Sequence, residues 1–266
     1  MSESETDYLE DLWREAWTPP DRKEVWQWAE EHIESIPYSP IPGRFRVDNS
    51  PMLREVMQEI VNPRTRLVSI IAAVQSSKST AIEVALCYII ANLPGPTLWL
   101  DQNDDDAKDQ AEGRLRKIFD SCEPVKKLYP GDRYKLRTTT MNFANGMTLW
   151  VAGAYNKSNL QRRSIRWLIG DETWRCPQGH MAEAEARTTA FGWLGKCVFC
   201  SQGGFEGTIR TRSSPRQTSA SGCLPVRIVG ISSPSHGTAL SGERNARTRT
   251  DIMTSARCGH PPPCAV

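Results

Sequence analysis

A lysine followed by two hydroxyl residues stands directly behind the apolar segment 67–74. Where a strand leads through such a loop into a helix, backbone N–H groups point at the phosphates of a nucleotide, the lysine neutralises phosphate charge, and the next hydroxyl binds Mg²⁺. Lys78 and Ser79 have the types and order for the last two roles. The candidate nucleotide-binding residues are Gln75, Ser76, Ser77, Lys78, Ser79 and Thr80.

The loop departs from the usual pattern G-x-x-x-x-G-K-[ST] at both glycines. Ala72 and Ser77 occupy those positions, although glycine lets a backbone turn tightly and approach phosphates without a Cβ. The alternative interpretation is an ordinary helix N-terminus capped by Ser76 or Ser77, with Lys78 in solvent.

Two adjacent carboxylates, Asp171 and Glu172, follow the apolar segment 165–170. Ligands of open α/β sheets bind at the carboxyl ends of strands, where Asp171 would hold Mg²⁺ and Glu172 would orient a water molecule as general base. The alternative interpretation is that the two residues are ordinary solvent-exposed acidic residues at a strand end. Together with Lys78, in this order, the pair favours binding and hydrolysis of ATP with Mg²⁺ as cofactor.

The composition bounds the class of protein. The chain has 266 residues, 39% of them hydrophobic, which is enough for a buried core, while 18 Pro and 18 Gly indicate much loop. The formal net charge of +2 decides nothing about nucleic-acid binding. The sequence lacks a membrane-spanning apolar stretch and a signal-like N-terminus, so we expect a cytosolic protein with reduced cysteines.

Strand signals that alternate with helix signals predict an α/β fold, with a mostly parallel sheet flanked by helices as in P-loop NTPases. Asn145 and Gly146 between two β-rich segments predict a hairpin. The predicted strands are 67–74, 98–100, 138–143, 147–152, 165–170 and 196–200, and the predicted helices are parts of 5–35, 50–60, 79–92, 105–121 and 180–188.

Residues 35–206 resemble the ATPase part of the large terminase subunit of lambda-like tailed phages. Segment 50–55 resembles the family's entry helix, segment 75–80 its variant phosphate loop, and segment 169–172 its acidic strand end. A basic stretch at 159–163 stands where the family has one. The family is known for packaging DNA into proheads.

By this resemblance, Ser201 and Gln202 form a coupling motif that senses the γ-phosphate and relays hydrolysis to DNA movement. The resemblance implies double-stranded DNA, the terminase small subunit and the portal or prohead as partners of the intact protein, in the cytoplasm of the host cell and without a membrane. It also implies a nuclease domain, for which this chain is too short. Two alternatives stay open: another P-loop DNA motor, such as a helicase-like ATPase, or an inactive truncated remnant.

The composition changes abruptly after residue 206. Segment 207–266 has no Phe, Trp, Tyr or Lys and only two acidic residues, so it buries too little apolar surface to fold and is predicted to be disordered. If the codons of this segment are read one base out of frame, they can encode amino-acid strings that resemble the continuation of the family's sequence. We therefore hypothesise that the tail is an out-of-frame product. Sequencing of the coding DNA tests this hypothesis. The predicted division is a helical and linker region at 1–45, an incomplete ATPase domain at 46–206, and the tail.

Three further features have alternative interpretations. Cys197 and Cys200 have zinc-knuckle spacing, but residues three apart on a strand face opposite sides, which favours core cysteines over zinc ligands. Tyr38 and Phe45 are either packing aromatics, the favoured interpretation, or a stacking surface for adenine. The pair Arg162 and Arg163 either leads into a strand in solvent or contacts nucleotide or DNA.

Overall fold

The computed structural model describes residues 23–41, 43–72, 75–128, 139–161 and 163–202, together with Trp13 and the backbone of 136–137, 227–232 and 250–252. The helices are α1 Val25–His32, α2 Leu53–Val61, α3 Lys78–Asn92, α4 Asp104–Gln110, α5 Arg116–Asp120, α6 Glu123–Lys127 and α7 His180–Glu185. The strands are β1 Thr65–Ile71, β2 Thr97–Asp101, β3 Leu136–Arg137, β4 Thr140–Asn142, β5 Thr148–Gly153, β6 Trp167–Gly170, β7 Lys196–Ser201, β8 Arg227–Ser232 and β9 Thr250–Ile252.

The strands form one sheet in the order β3-β4-β5-β2-β6-β7-β1-β8-β9. The five neighbours from β5 to β1 run parallel, and antiparallel strands extend both edges. The predicted mostly parallel sheet is therefore confirmed, as is the hairpin around Asn145 and Gly146, which joins β4 to β5.

The central strands are buried along their whole length because helices cover both faces of the sheet. Every residue of β2, β6 and β7 is buried, as expected for parallel strands between two helical layers. One core cluster contains most of α3 and the residues of α1, α2 and α5 that face it, and a second cluster on the other face includes residues of α7. Helix α3 is buried nearly all round, so the segment that begins at Lys78 is firmly held.

Several helices and strands begin or end at other residues in the structure than the sequence predicted. The strand predicted over 67–74 ends at Ile71, and residues 73 and 74 lie outside the described part of the chain. The helix predicted at 105–121 contains a π-helical turn, Ala111–Leu115, between α4 and α5. The helix predicted at 180–188 is α-helical as α7 and then continues as the 3₁₀ segment Ala186–Leu194.

Both ends of the chain lie largely outside the described residues. Of the helical region predicted at 5–35, the structure describes α1 and a few neighbours. Within the tail predicted to be disordered, β8 pairs antiparallel with β1, and β9 pairs with β8, which differs from the prediction for these two segments. Among the described residues, every helix is too short or too polar for a membrane span.

Candidate nucleotide-binding site

The candidate residues meet at one edge of the sheet. The loop after β1 leads into α3, Asp171 and Glu172 directly follow β6, and Gln202 follows β7. Because β6, β7 and β1 are adjacent and parallel, their carboxyl ends open on the same side. The sheet order, rather than proximity in sequence, brings the loop and the acidic pair together.

Lys78 and Glu172 form an ion pair in the structure. The distance from Lys78 Nζ to Glu172 Oε1 is 3.2 Å, and the lysine side chain is almost fully buried. The alternative of a lysine in solvent is therefore wrong. Because Lys78 is the first residue of α3, its ammonium group lies at the helix N-terminus, where an anion also meets free backbone N–H groups.

Ser79 and Asp171 are joined by a direct hydrogen bond. The Ser79 hydroxyl donates to Asp171 Oδ2 at 2.8 Å, and Asp171 Oδ1 accepts the backbone N–H of Glu172 at 2.9 Å. The pair thus offers a hydroxyl and a carboxylate oxygen side by side. These are hard oxygen donors of the kind that Mg²⁺ takes from P-loop proteins, few in number because phosphates and water complete its shell.

Glu172 is held at both carboxylate oxygens. Gln202 Nε2 donates to Oε1 at 3.3 Å, and Trp174 Nε1 donates to Oε2 at 2.5 Å. Burial alone would raise the pKa of Glu172, but the Trp174 hydrogen bond and the Lys78 charge outweigh it and leave the pKa below its ordinary value. Glu172 is therefore an anion at neutral pH. Sequence reasoning missed Trp174, because its position two residues after Glu172 does not by itself show that the indole N–H reaches the carboxylate.

Ser201 lies differently from Gln202. Its side chain is buried, and its hydroxyl donates to the backbone oxygen of Gln202 at 2.9 Å. Of the two residues predicted to form a coupling motif, Gln202 contacts Glu172. Ser201 is buried and contacts the backbone of Gln202 instead.

A cleft of about 760 Å³ opens in front of these residues. Its volume suits a nucleotide-sized ligand. One wall is the loop 75–80 with Glu172 and Gln202, and the other wall is formed by residues between 36 and 53. The residues that line it include Gln75, Ser76, Ser77, Lys78, Ser79, Thr80, Tyr38, Phe45, Arg114, Glu172 and Gln202. Within the described part of the chain, the buried Ser76 hydroxyl has no hydrogen-bond partner.

A buried carboxylate, that of Glu83, binds the residues on the Tyr38 side of the cleft. Glu83, on α3, is fully buried and accepts hydrogen bonds from Tyr38, Gln110 and Arg114, the last at 2.6 Å from Nε and 3.1 Å from Nη2. The Arg114 guanidinium lies 4.2 Å from the centre of the Tyr38 ring. Tyr38 is thus a packed aromatic, as favoured from the sequence, and its ring also borders the cleft.

The loop adopts the backbone conformation that favours glycine. Gln75 has φ 57° and Ser77 has φ 58°, in the left-handed region that costs a side-chain-bearing residue about 1–2 kcal/mol. Ser77 is one of the two positions where the usual pattern has glycine. Two of the described loop residues, Gln75 and Ser77, are therefore held under backbone strain.

We expect Ser77→Gly to stabilise the protein by about 0.5–1 kcal/mol, because the relieved strain exceeds the extra chain entropy that glycine loses on folding. Urea unfolding measures the difference. Ser76→Gly is the matched control, since Ser76 lacks a positive φ, and it should be neutral or destabilising. Equal effects of the two substitutions would contradict the assignment of strain to Ser77.

A third carboxylate, Asp101, ends β2 beside the acidic pair. Asp171 N donates to Leu100 O at 2.9 Å, which ties the two strand ends together. Burial and the nearby charge of Asp171 raise the pKa of Asp101 from 3.8 to about 8. Within the described residues, Asp101 Oδ2 has no hydrogen-bond partner. Sequence reasoning did not identify this residue as part of the site.

Asp101 makes the stability of the nucleotide-free protein pH-dependent. Because the folded state keeps the proton that the unfolded state releases, the stabilisation is complete below pH 3.8 and is lost as the pH rises to about 8. We expect Asp101→Asn to remove this loss, so that between pH 5 and pH 8 the variant gains roughly 2–4 kcal/mol relative to wild type. Urea midpoints at both pH values measure the gain, and the exposed Asp120→Asn serves as control. Parallel pH profiles for wild type and Asp101→Asn would contradict this assignment.

The two strand cysteines do not share a site. Cys200 belongs to the core cluster on one face of the sheet and Cys197 to the cluster on the other. Burial also raises the pKa of the Cys200 thiol, which disfavours a metal-binding thiolate. Among the described residues, no group of three or more His, Cys, Asp or Glu side chains is arranged around a common metal position. The interpretation of these cysteines as core residues fits the structure.

Of the predicted basic pair, Arg162 lies outside the described residues. The Arg163 guanidinium lies 5.1 Å from the centre of the Trp150 ring, and Arg163 is not among the residues that line the cleft. This position gives Arg163 a packing contact on β5 rather than a contact in the cleft.

The comparisons with known proteins agree on one group. A family model described as "Phage terminase large subunit gpA, ATPase domain" matches residues 39–221. The crystal structure of the HK97 bacteriophage large terminase is similar with a TM-score of 0.55 and 12% identity, over 69% of this chain and 38% of that chain. The large terminase ATPase domain of Thermus phage P74-26 has a TM-score of 0.43 and 16% identity, over 69% of this chain and 70% of that chain.

No curated protein matches the chain in sequence. The likeness to the HK97 protein shows a shared fold, and this chain corresponds to 38% of that protein's length.

Proposed function

We propose, because the chain belongs to the family of phage terminase large subunit gpA ATPase domains, that the cleft binds ATP and that Glu172 and Lys78 catalyse its hydrolysis. The observation that carries the proposal is the convergence of Lys78, Ser79, Asp171 and Glu172 at one sheet edge, through contacts of 3.2 Å and 2.8 Å. These residues come from distant parts of the chain and have the types that phosphoryl transfer needs.

The phosphate loop supplies the binding energy for the triphosphate. Backbone N–H groups at the start of α3 are donors for phosphate oxygens. The Ser76 hydroxyl, which has no hydrogen-bond partner among the described residues, is a further donor. Lys78 adds a buried positive charge that is balanced by Glu172 in the free protein. Gln75, Ser77 and Thr80 line the same cleft and complete the loop around the phosphates.

Glu172 acts as general base. Its lowered pKa keeps the carboxylate ionised, and Oε1 is within reach of the buried ammonium group that a γ-phosphate would contact. When Lys78 turns its charge to the phosphate, Oε1 is released to accept a proton from the attacking water molecule. Lys78 then offsets negative charge that develops on the transferred phosphoryl group.

Ser79 and Asp171 are the residues that would hold Mg²⁺. Their adjacent oxygens fit the ion chemically, and a bound Mg²⁺ would neutralise charge on the β- and γ-phosphates. Ser201 and Gln202 are proposed as the coupling motif, in which Gln202 contacts the base directly and Ser201 connects it to β7.

The wider role is also part of the proposal. In the intact protein we propose that hydrolysis drives double-stranded DNA into a prohead, with the terminase small subunit and the portal as partners, in the host cytoplasm. The division at residues 45 and 206 is proposed on composition, and the matched range 39–221 extends somewhat past it at both ends.

Titration of the chain with a fluorescent ATP analogue, followed by phosphate-release assays with and without double-stranded DNA, tests this function. We expect saturable binding that requires Mg²⁺ and a slow ATPase activity that DNA increases. Selective stimulation by forked DNA would favour a helicase-like motor instead. Absence of binding would favour an inactive remnant.

A further inference from the structure

The carboxylate of Glu172 has two differently occupied oxygens. Oε1 faces Lys78 Nζ at 3.2 Å and Gln202 Nε2 at 3.3 Å, whereas Oε2 accepts a hydrogen bond from Trp174 Nε1 at 2.5 Å. The partners of Oε1, Lys78 and Gln202, both line the cleft in which we propose that the phosphates bind. The Trp174 indole N–H binds Oε2, so it does not compete with Lys78 or Gln202 for Oε1.

Trp174 is held by contacts that do not involve the cleft. It lies in the 3₁₀ turn Thr173–Arg175, which the Thr173 hydroxyl joins to Cys200 O at 3.4 Å. The Arg175 guanidinium covers the Trp174 ring at 4.9 Å from its centre. Because the turn is tied to β7, the indole N–H is held beside the Glu172 carboxylate.

Glu172 itself needs such a donor. Its backbone has φ 45° and ψ 43°, a left-handed conformation that a glutamate adopts only when its surroundings impose it. Its side chain is partly exposed to the cleft. After Lys78 turns to phosphate, the contacts among the described residues that still restrain the carboxylate are those from Gln202 and Trp174. Of these two contacts, the Trp174 hydrogen bond is the shorter.

We infer that Trp174 is a positioning residue for hydrolysis: its indole N–H holds Glu172 Oε2 while Oε1 exchanges Lys78 for the attacking water molecule. This inference rests on the proposed function. It assigns to Trp174 an effect on the rate of hydrolysis and not on the affinity for ATP, because the indole contacts the base and not the nucleotide.

The test is Trp174→Phe, which removes the N–H donor and keeps an aromatic ring. We expect kcat to fall about 10- to 50-fold, as for the loss of a hydrogen bond to a charged group, while the Kd for ATP stays within about 2-fold of wild type. The matched control is Trp193→Phe, whose ring is 69% exposed. This control should leave both kcat and Kd unchanged.

A double-mutant cycle separates positioning from general structural damage. In the Glu172→Gln background, Trp174→Phe should cause less than about 2-fold further loss, because a positioning residue has nothing left to position. Intrinsic fluorescence gives a readout apart from activity: a non-hydrolysable ATP analogue should change wild-type emission, and most of the change should be lost in Trp174→Phe and retained in Trp193→Phe. If Trp174→Phe does not fold, the same measurements on Trp174→Leu, which also lacks a side-chain donor, decide.

The inference is overturned by a wild-type kcat in Trp174→Phe, by parallel losses in kcat and affinity, or by an undiminished further loss in the Glu172→Gln background. In these cases wild-type ATPase activity persists and the proposed function stands. A wild-type chain that neither binds nor hydrolyses ATP overturns the proposed function and this inference together.

Discussion

Glu172→Gln should lower the rate of ATP hydrolysis by about 10²–10⁴-fold, because glutamine keeps the shape of the side chain but cannot accept a proton from water. The affinity for ATP should stay the same or increase, since Lys78 loses its competing partner at Oε1. Steady-state phosphate release and titration with a fluorescent ATP analogue measure the two quantities. This split between rate and affinity is the signature of a base that acts on water and not on the nucleotide.

This substitution should lower the stability of the nucleotide-free protein, because the almost fully buried Lys78 ammonium group loses its counter-charge. An amide oxygen can still accept the hydrogen bond from Trp174. Glu123→Gln is a suitable control, since Glu123 is exposed and pairs with Lys127 of its own helix at 3.5 Å. It should hydrolyse ATP at the wild-type rate. Hydrolysis by Glu172→Gln near that rate would mean that another group is the base.

Lys78→Ala should weaken ATP binding by about 100-fold, which corresponds to a loss of roughly 3 kcal/mol, and should bring hydrolysis below detection. The reason is the place of the ammonium group, which is buried at the N-terminus of α3 where phosphate charge would otherwise be uncompensated. Isothermal titration with a non-hydrolysable ATP analogue measures the affinity.

The thermal stability of Lys78→Ala without nucleotide should stay close to that of wild type. Glu172 is partly exposed and keeps its contacts to Trp174 and Gln202, so it is not left as a buried, unpaired charge. Lys127→Ala, which removes an exposed lysine, is the matched control and should bind ATP normally. Tight ATP binding by Lys78→Ala would place the phosphates elsewhere in the cleft.

The apolar strand segments, and the polar residues that follow them, were enough to predict that the candidate site lies at the carboxyl ends of the strands. A buried parallel strand is a continuous apolar run, and its carboxyl end is marked by the first polar residues, as at Asp171 after β6. The same regularity of strands placed Cys197 and Cys200 on opposite faces. Helix α3 began within one residue of its prediction, because the loop and the apolar helix differ sharply in composition.

Residues outside recognised motifs were not predictable in this way. Asp101 looked like the first of several acidic residues before a helix, and only the pairing of β2 with β6 buries it beside Asp171. Trp174 was not singled out from the sequence, because an indole N–H contributes to a site only where a particular acceptor lies within reach. Glu83 and Arg114 also meet solely through the packing of α3 against the π-helical turn.

The amino-acid sequence by itself determined the kinds of residues at the site, their order and the sheet that carries them, since these follow from local hydrophobic patterns and short motifs. The tertiary structure decided which groups touch: that Lys78 is paired with Glu172 in the free protein, that Gln202 and not Ser201 reaches this carboxylate, and that Ser77 takes a conformation suited to glycine. Such contacts depend on distances of a few ångströms between segments far apart in the chain, and these distances are set by the packing of the whole sheet and its helices.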